Sequence, residues 1–414
     1  MDRIQKQNIH SSIKDSIFYS LMVGMGENFL CAFLLALGAG DVGAGLVSVI
    51  PILMGSVLQL YSSYGLKFFS SYKKWVVTCV LIQAFSFVPL VIVGFQGKAP
   101  LWMVFFFISL YWGSGMAAST SWNVWIANLV SDNMKKSFFS NRGLFSQISS
   151  IVSLAIGGAL LEWGERYGYK MEVFSFLFMA AFILRLISAF HLNQQSELKL
   201  DHHFSPQLGF KEFFLELFQG KASPLLKFML LFYLCIHTSS PFFSPFMLSK
   251  LNLSYSSYMI LIACVYITKS LAYHLLGTML RRLPNHVLLL MGALGITVLP
   301  WLWTLSTHFV NLCFFQMVSG FVWAIYELAT LLLMMELIPD EKRSKVLSFY
   351  NVFNHTGMLV GALLGGYYLS LHGNTYHAFI DLFSLSTLIR LLALVLLPSF
   401  YFSYQRQVKE MALN

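Results

Sequence analysis

Three ionisable side chains lie deepest in the apolar stretches of this 414-residue sequence: Glu27, Lys269 and Glu327. A charge in hydrocarbon costs about 3 kcal/mol or more unless it is paired or wet, so each of them marks a binding site or a neutralising pair. Lys269 stands between Tyr266 and Tyr273 at i−3 and i+4, so one helix face presents a cation between two phenols. Glu327 has Trp323 at i−4 and Thr330 at i+3. A Lys269–Glu327 pair would cancel both charges, and a pair able to open would admit a charged solute or a proton. Glu27, with Asn28 beside it, is the expected carrier of a coupling proton. A neutral acid crosses a closed site without an uncompensated charge, and a carboxylate releases its proton to whichever side is wet.

Two further stretches supply candidate ligands. In "HTSSPFFSPF", residues 237–246, Pro241 cannot donate to the carbonyl of His237, so a helix there must bend or unwind. Broken helices of this kind expose backbone groups to a solute or ion, and His237 joins the candidate set. In "SLYWGSGMAASTSWNVW", residues 109–125, Ser119, Trp122 and Asn123 can share one helix face.

The elements that position these groups follow from composition. With 57% hydrophobic and 11% charged residues, the chain cannot cover itself with polar surface, and runs of about 20 apolar residues recur throughout. No strand-like alternation of apolar and polar residues points to a barrel. The reading is an all-α integral membrane protein with twelve transmembrane helices: 15–37, 44–64, 75–95, 101–128, 143–163, 172–192, 225–249, 256–279, 286–305, 308–336, 346–370 and 376–401. The first run is too long for a signal-peptide core and is read as an uncleaved anchor. Placing both termini in the cytoplasm puts 20 of the 27 Lys and Arg residues on the inner side and four outside. That asymmetry obeys the positive-inside rule and accounts for the net charge of +9 without a nucleic-acid partner. Arg185 and Arg390, within the spans, are expected to snorkel to the cytoplasmic interface. The five cysteines show no CxxC spacing and read as free apolar thiols.

The basic segments "VSDNMKKSFFSNR" (130–142) and "IPDEKRSKVLSFY" (338–350) begin 208 positions apart. Laid over each other without a gap, residues 129–158 and 337–366 share seven identities, among them Asp132 with Asp340 and Gly157–Gly158 with Gly365–Gly366. "FILRLIS" and "TLIRLLA" likewise align Arg185 with Arg390. The chain therefore reads as two pseudo-symmetric six-helix bundles, 1–192 and 225–414, joined by a cytoplasmic linker at 193–224. The paired glycines suit tightly crossed helices.

Two six-helix halves, an inner linker and basic inner loops make the sequence resemble the major facilitator superfamily. After the second helix, "GLKFFSSYKK" keeps that family's Gly65, Lys73 and Lys74 but has Phe69 at its Asp position. The second-half copy "GTMLRRLPNH" keeps Gly277 and Arg282 but has Arg281 there. Leu154 stands where antiporter members often carry Pro. The resemblance implies alternating access, with Gly65, Lys73, Lys74, Asp132, Lys136, Arg142, Gly277, Arg282, Asp340 and Arg343 on cytoplasmic gating loops. It also implies that the helices carrying Glu27, Ser119, His237 and Glu327 surround a central cavity, with that of Lys269 beside them.

No GxxxxGK[ST] or HExxH motif occurs, so no enzyme activity, cofactor or metal is expected. The expected function is secondary transport of a small polar or charged organic solute, with the proton as coupling ion. The protein is expected to work as a monomer in a bacterial cytoplasmic (inner) membrane. A lipid flippase on the same fold, and a transport-inactive receptor or scaffold, are the alternatives.

Overall fold

The computed structural model describes residues 3–130, 132–197, 210–278, 283–397 and 401. Those residues are helical and contain no strand. The main elements are α1 Ile4–Ala36, α2 Gly40–Leu60, α3 Tyr72–Gln96, α4 Leu101–Leu129, α5 Asp132–Tyr167, α6 Lys170–Asn193, α7 Ser223–Lys250, α8 Tyr255–Thr278, α9 Asn285–Leu305, α10 Phe309–Leu337, α11 Asp340–Leu371 and α12 Tyr376–Ala393. Among the described residues, eleven contain a stretch long and apolar enough to cross a membrane. The remaining one, α11, has the length, but Asn351, Asn354 and His355 dilute its apolar character. The twelve helices counted in the sequence are thus all present, and the protein is a multi-pass integral membrane protein.

Helix starts follow local chemistry. Ser71 and Thr375 accept bonds from Lys74 N and Ala378 N at 3.2 Å each, while Pro100, Pro284 and Pro339 immediately precede α4, α9 and α11. Two expectations about loops are corrected. The basic segments 132–142 and 340–345 are the opening turns of α5 and α11, because nothing in them breaks a helix and Pro339 sets the start of α11. The linker, expected at 193–224 as a connection without a helix of its own, is helical over Phe210–Gln219, where Phe213, Phe214 and Leu217 recur at helical spacing.

By contacts the chain separates into two compact units, Met1–Gln207 with Ser254–Met259, and Leu208–Leu253 with Ile260–Asn414. In the first, a Cβ at Gly24 would overlap Ser153 and one at Gly157 would overlap the ring of Phe29, so α1 and α5 cross at backbone distance. In the second, a Cβ at Gly361 or Gly365 would overlap the carbonyl oxygens of Leu234 and Thr238, which brings α11 onto the backbone of α7. The linker helix packs on α11, with Phe213 stacked on Phe353 at 5.0 Å between centroids. Lys345 Nζ lies 3.3 Å from Glu212 Oε1 across the same contact, and Lys342 pairs with Glu216.

Candidate functional site

In the first unit, α1 stops being an α-helix at Met25 and passes through a 3-10 turn, Glu27–Phe29, before resuming at Leu30. The glycines at 24 and 26 weaken the helix there. The side chain of Asn28 covers the break, donating to Val23 O at 3.0 Å. Glu27 accepts a bond from the phenol of Tyr111 on α4 at 2.5 Å.

About three turns earlier on α1, Asp15 is buried, with Ser188 Oγ donating to its Oδ1 at 2.7 Å and Arg142 Nη2 to its Oδ2 at 3.3 Å. Arg185 is 5% exposed: Nη1 donates to Ser188 Oγ and Nε to Gln83 Oε1, each at 2.8 Å, and its guanidinium covers the ring of Tyr19. Arg142 covers the ring of Trp122, 4.2 Å from the centroid. Beside this network is a cavity of about 200 Å³ lined by Asp15, Tyr19, Ser119, Trp122, Asn123, Arg142 and Arg185, among others. Ser119, Trp122 and Asn123 thus share one wall, as their spacing indicates; Glu27 and Asn28 are not among the lining residues.

In the second unit, Lys269 Nζ lies 2.8 Å from Glu327 Oε1, and Tyr273 donates to Glu327 Oε2 at 2.8 Å. The pair forms, yet both side chains are about a third exposed, which screens their attraction. Tyr266 lies one turn before Lys269, and its carbonyl accepts from Ser270. α7 breaks after His237 into a 3-10 turn at Ser240–Phe242 and a π-helical turn at Phe246–Lys250. His237 Nδ1 is 2.9 Å from the carbonyl of Tyr233 on its own helix. Trp323 lines a second cavity of about 190 Å³ together with Ser240, Gln316 and Arg390.

The snorkelling expected of Arg185 and Arg390 is overturned. Arg390 is 2% exposed, and its guanidinium donates to Ile236 O, Ile296 O and Ser239 Oγ at 2.8–2.9 Å. It supplies donors to Ile236 O at the break in α7 and to Ile296 O on α9, whose helical donor position is taken by Pro300, and these bonds are why a charge is tolerated so deep. Sequence reasoning also missed Asp15, Tyr19 and Tyr111. The available signal was the polar run Ser12, Asp15, Ser16, Tyr19 and Ser20, which shares one face of α1.

The residues expected on gating loops have varied surroundings. Gly65 leaves room for the ring of Trp75, and the backbone N–H of Lys74 serves the Ser71 cap beside Lys73. Arg142 turns into the cavity. Arg343 donates to Met335 O and Ile338 O at 2.6 and 2.9 Å, capping α10. Asp132, Lys136, Gly277 and Asp340 lie on helical backbone, but the side chains of Asp132, Lys136 and Asp340 fall outside the described residues, as does the whole of Arg282.

Residues 225–410 match the Major Facilitator Superfamily family model. The whole chain superposes on a mutant of the nucleoside transporter NupG with a TM-score of 0.71 at 14% identity, covering 97% of this chain and 100% of that one. The second half of the chain thus matches the superfamily, and the whole chain has the fold of a solved transporter. A mutant of the peptide transporter POT in complex with alafosfalin gives 0.71 at 12% identity over 97% of this chain and 99% of that one. An inward-facing, occupied bacterial homologue of the lysosomal transporter Spinster gives 0.63 at 13% identity over 98% of each. No curated protein matches the chain. At these identities the solved structures share the superfamily fold with this chain, and the site must be read from its own residues.

Proposed function

We propose that this chain is a major facilitator superfamily member and a secondary transporter that moves a small polar or charged organic solute across the cytoplasmic membrane by alternating access, with both termini in the cytoplasm. One observation carries the reading: in the first unit the buried Asp15 and Arg185 and the partly buried Arg142 line one cavity. An ionisable side chain inside a span, as Arg185 is, marks a functional site by default. The nucleoside and peptide transporters that share the fold favour a carrier. A flippase is disfavoured, because a lipid tail gains nothing from a wall of Asp15, Asn123, Arg142 and Arg185.

Glu27 is the coupling-proton site in this reading. It contacts one neutral donor, Tyr111, whereas Glu327 is engaged by both Lys269 and Tyr273. The deciding measurement is flux into liposomes holding purified protein, under imposed proton or sodium gradients and without ATP. Gradient-driven accumulation of a solute is expected; rapid lipid scrambling with no solute movement would refute the carrier reading.

A further inference from the structure

The cavity of the first unit has an unbalanced charge. Two guanidinium groups, Arg142 and Arg185, line it with a single carboxylate, Asp15. Each guanidinium lies on an aromatic ring, Arg142 on Trp122 at 4.2 Å and Arg185 on Tyr19 at 4.6 Å. Stacking fixes the guanidinium planes and leaves their N–H edges to donate. Asp15 displays the kind of group those edges donate to: Arg142 donates to one of its oxygens, and Ser188, itself held by Arg185, donates to the other. Two buried donors on lining residues, Arg142 Nε and Trp122 Nε1, have no hydrogen-bond partner among the described residues. Each such donor costs about 1–3 kcal/mol until something accepts from it. The volume of about 200 Å³ is below the ~300–1,000 Å³ of sites for drug-sized ligands, so the occupant is small.

We infer that this cavity binds a small organic monocarboxylate, its carboxylate held by Arg142 and Arg185 beside Asp15. The inference rests on the carrier reading for the role of the cavity and adds the charge class of the solute. One negative charge offsets the excess, a neutral solute leaves it, and a cation enlarges it. The apolar part of the lining, which includes Val76, Val80, Ala118 and Leu192, suits a short hydrocarbon body.

The test compares one skeleton in three charge states. Thermal unfolding of the purified full-length protein is followed with benzoate, benzamide and benzylamine, and with butyrate, butyramide and butylamine. At least one carboxylate should raise the midpoint, and its amide and amine should not. Arg142→Gln and Arg185→Gln should abolish the shift. Trp122→Phe, which keeps a ring and removes only the N–H, should weaken binding about tenfold. Arg142→Lys and Arg185→Lys keep the charge and should retain a reduced shift, which covers the case in which a glutamine variant does not fold. The inference is overturned if neither carboxylate stabilises, if an amide or amine does so equally, or if the shift survives in both glutamine variants. Liposome flux separates the two readings. Movement of neutral solutes with no carboxylate binding sinks the inference alone, whereas carboxylate binding without movement of any solute sinks the carrier reading alone.

Discussion

The phenol of Tyr111 on α4 donates to Oε2 of Glu27 at 2.5 Å, at the point where α1 gives up α-helical geometry. The carboxyl therefore sits on backbone that two glycines have loosened, within reach of a neutral donor from another helix. Glu27→Gln keeps the shape and the hydrogen bond but cannot release a proton. Proton-driven accumulation in liposomes should fall to background while solute counterflow persists. Undiminished pH-driven uptake in that variant would remove Glu27 from the coupling step and turn attention to Glu327 or His237.

Arg390 holds the broken α7 by donating to Ile236 O, Ser239 Oγ and, on α9, Ile296 O. Arg390→Met should leave two buried carbonyls without those donors, at about 1–3 kcal/mol each. The melting midpoint should drop by several degrees, measured with a thiol-reactive dye that reports exposure of the buried Cys79 and Cys235. A midpoint equal to that of the parent would show that α7 keeps its break without the arginine.

Glycines on the two long basic-ended helices separate crossing from propensity. Gly365→Ala places a methyl group on the carbonyl of Thr238 and should cost about 1–3 kcal/mol or more, since backbone cannot move aside cheaply. Gly143 has nothing within 4 Å of the space its Cβ would fill, so Gly143→Ala should be neutral or stabilise α5 by about 0.5–1 kcal/mol. The same melting assay should rank the two in opposite directions; equal effects would argue against a close crossing at Gly365.

The linker helix should stay docked on α11 down to mildly acid pH. Its own backbone N–H and Lys345 Nζ hold the Glu212 carboxyl below the usual carboxylate range. A depressed value means that the contribution is complete above the ordinary Glu pKa of about 4.3 and is lost only as pH falls through the lower folded value. Hydrogen exchange over Phe210–Gln219 should therefore show no change in opening between pH 8 and 5, once the intrinsic chemical rate is corrected. Phe213→Ala removes a fully buried ring stacked on Phe353 and should raise opening strongly at every pH. An opening transition near neutral pH would show that another group controls the docking.

The spans, the break in α7 and the Lys269–Glu327 contact were legible because they depend on residue type and local spacing. The break needs only Pro241, and the pair needs only two opposite charges seeking relief in apolar sequence. Arg185 and Arg390 were misread for a reason of orientation. α6 and α12 are apolar nearly all round, so the sequence does not reveal which side faces protein, and a long basic side chain near a helix end fits snorkelling equally well. What keeps them buried is supplied by distant residues: Gln83 and Tyr19 for one, and the carbonyls of Ile236 and Ile296 for the other. Asp15 was hidden by its place at the edge of an apolar run, although the serines flanking it on α1 carried the pattern.

The guanidinium of Arg142 resting on Trp122 gives the cavity an optical reporter. The emitting state of an indole follows the local electric field, and here a unit charge sits on the face of the ring. Whatever draws that guanidinium aside alters the colour and intensity of the emission, with no label attached. A difference spectrum against Trp122→Phe isolates this signal from the rest of the nine tryptophans and turns the wall of the cavity into a gauge of its own occupancy.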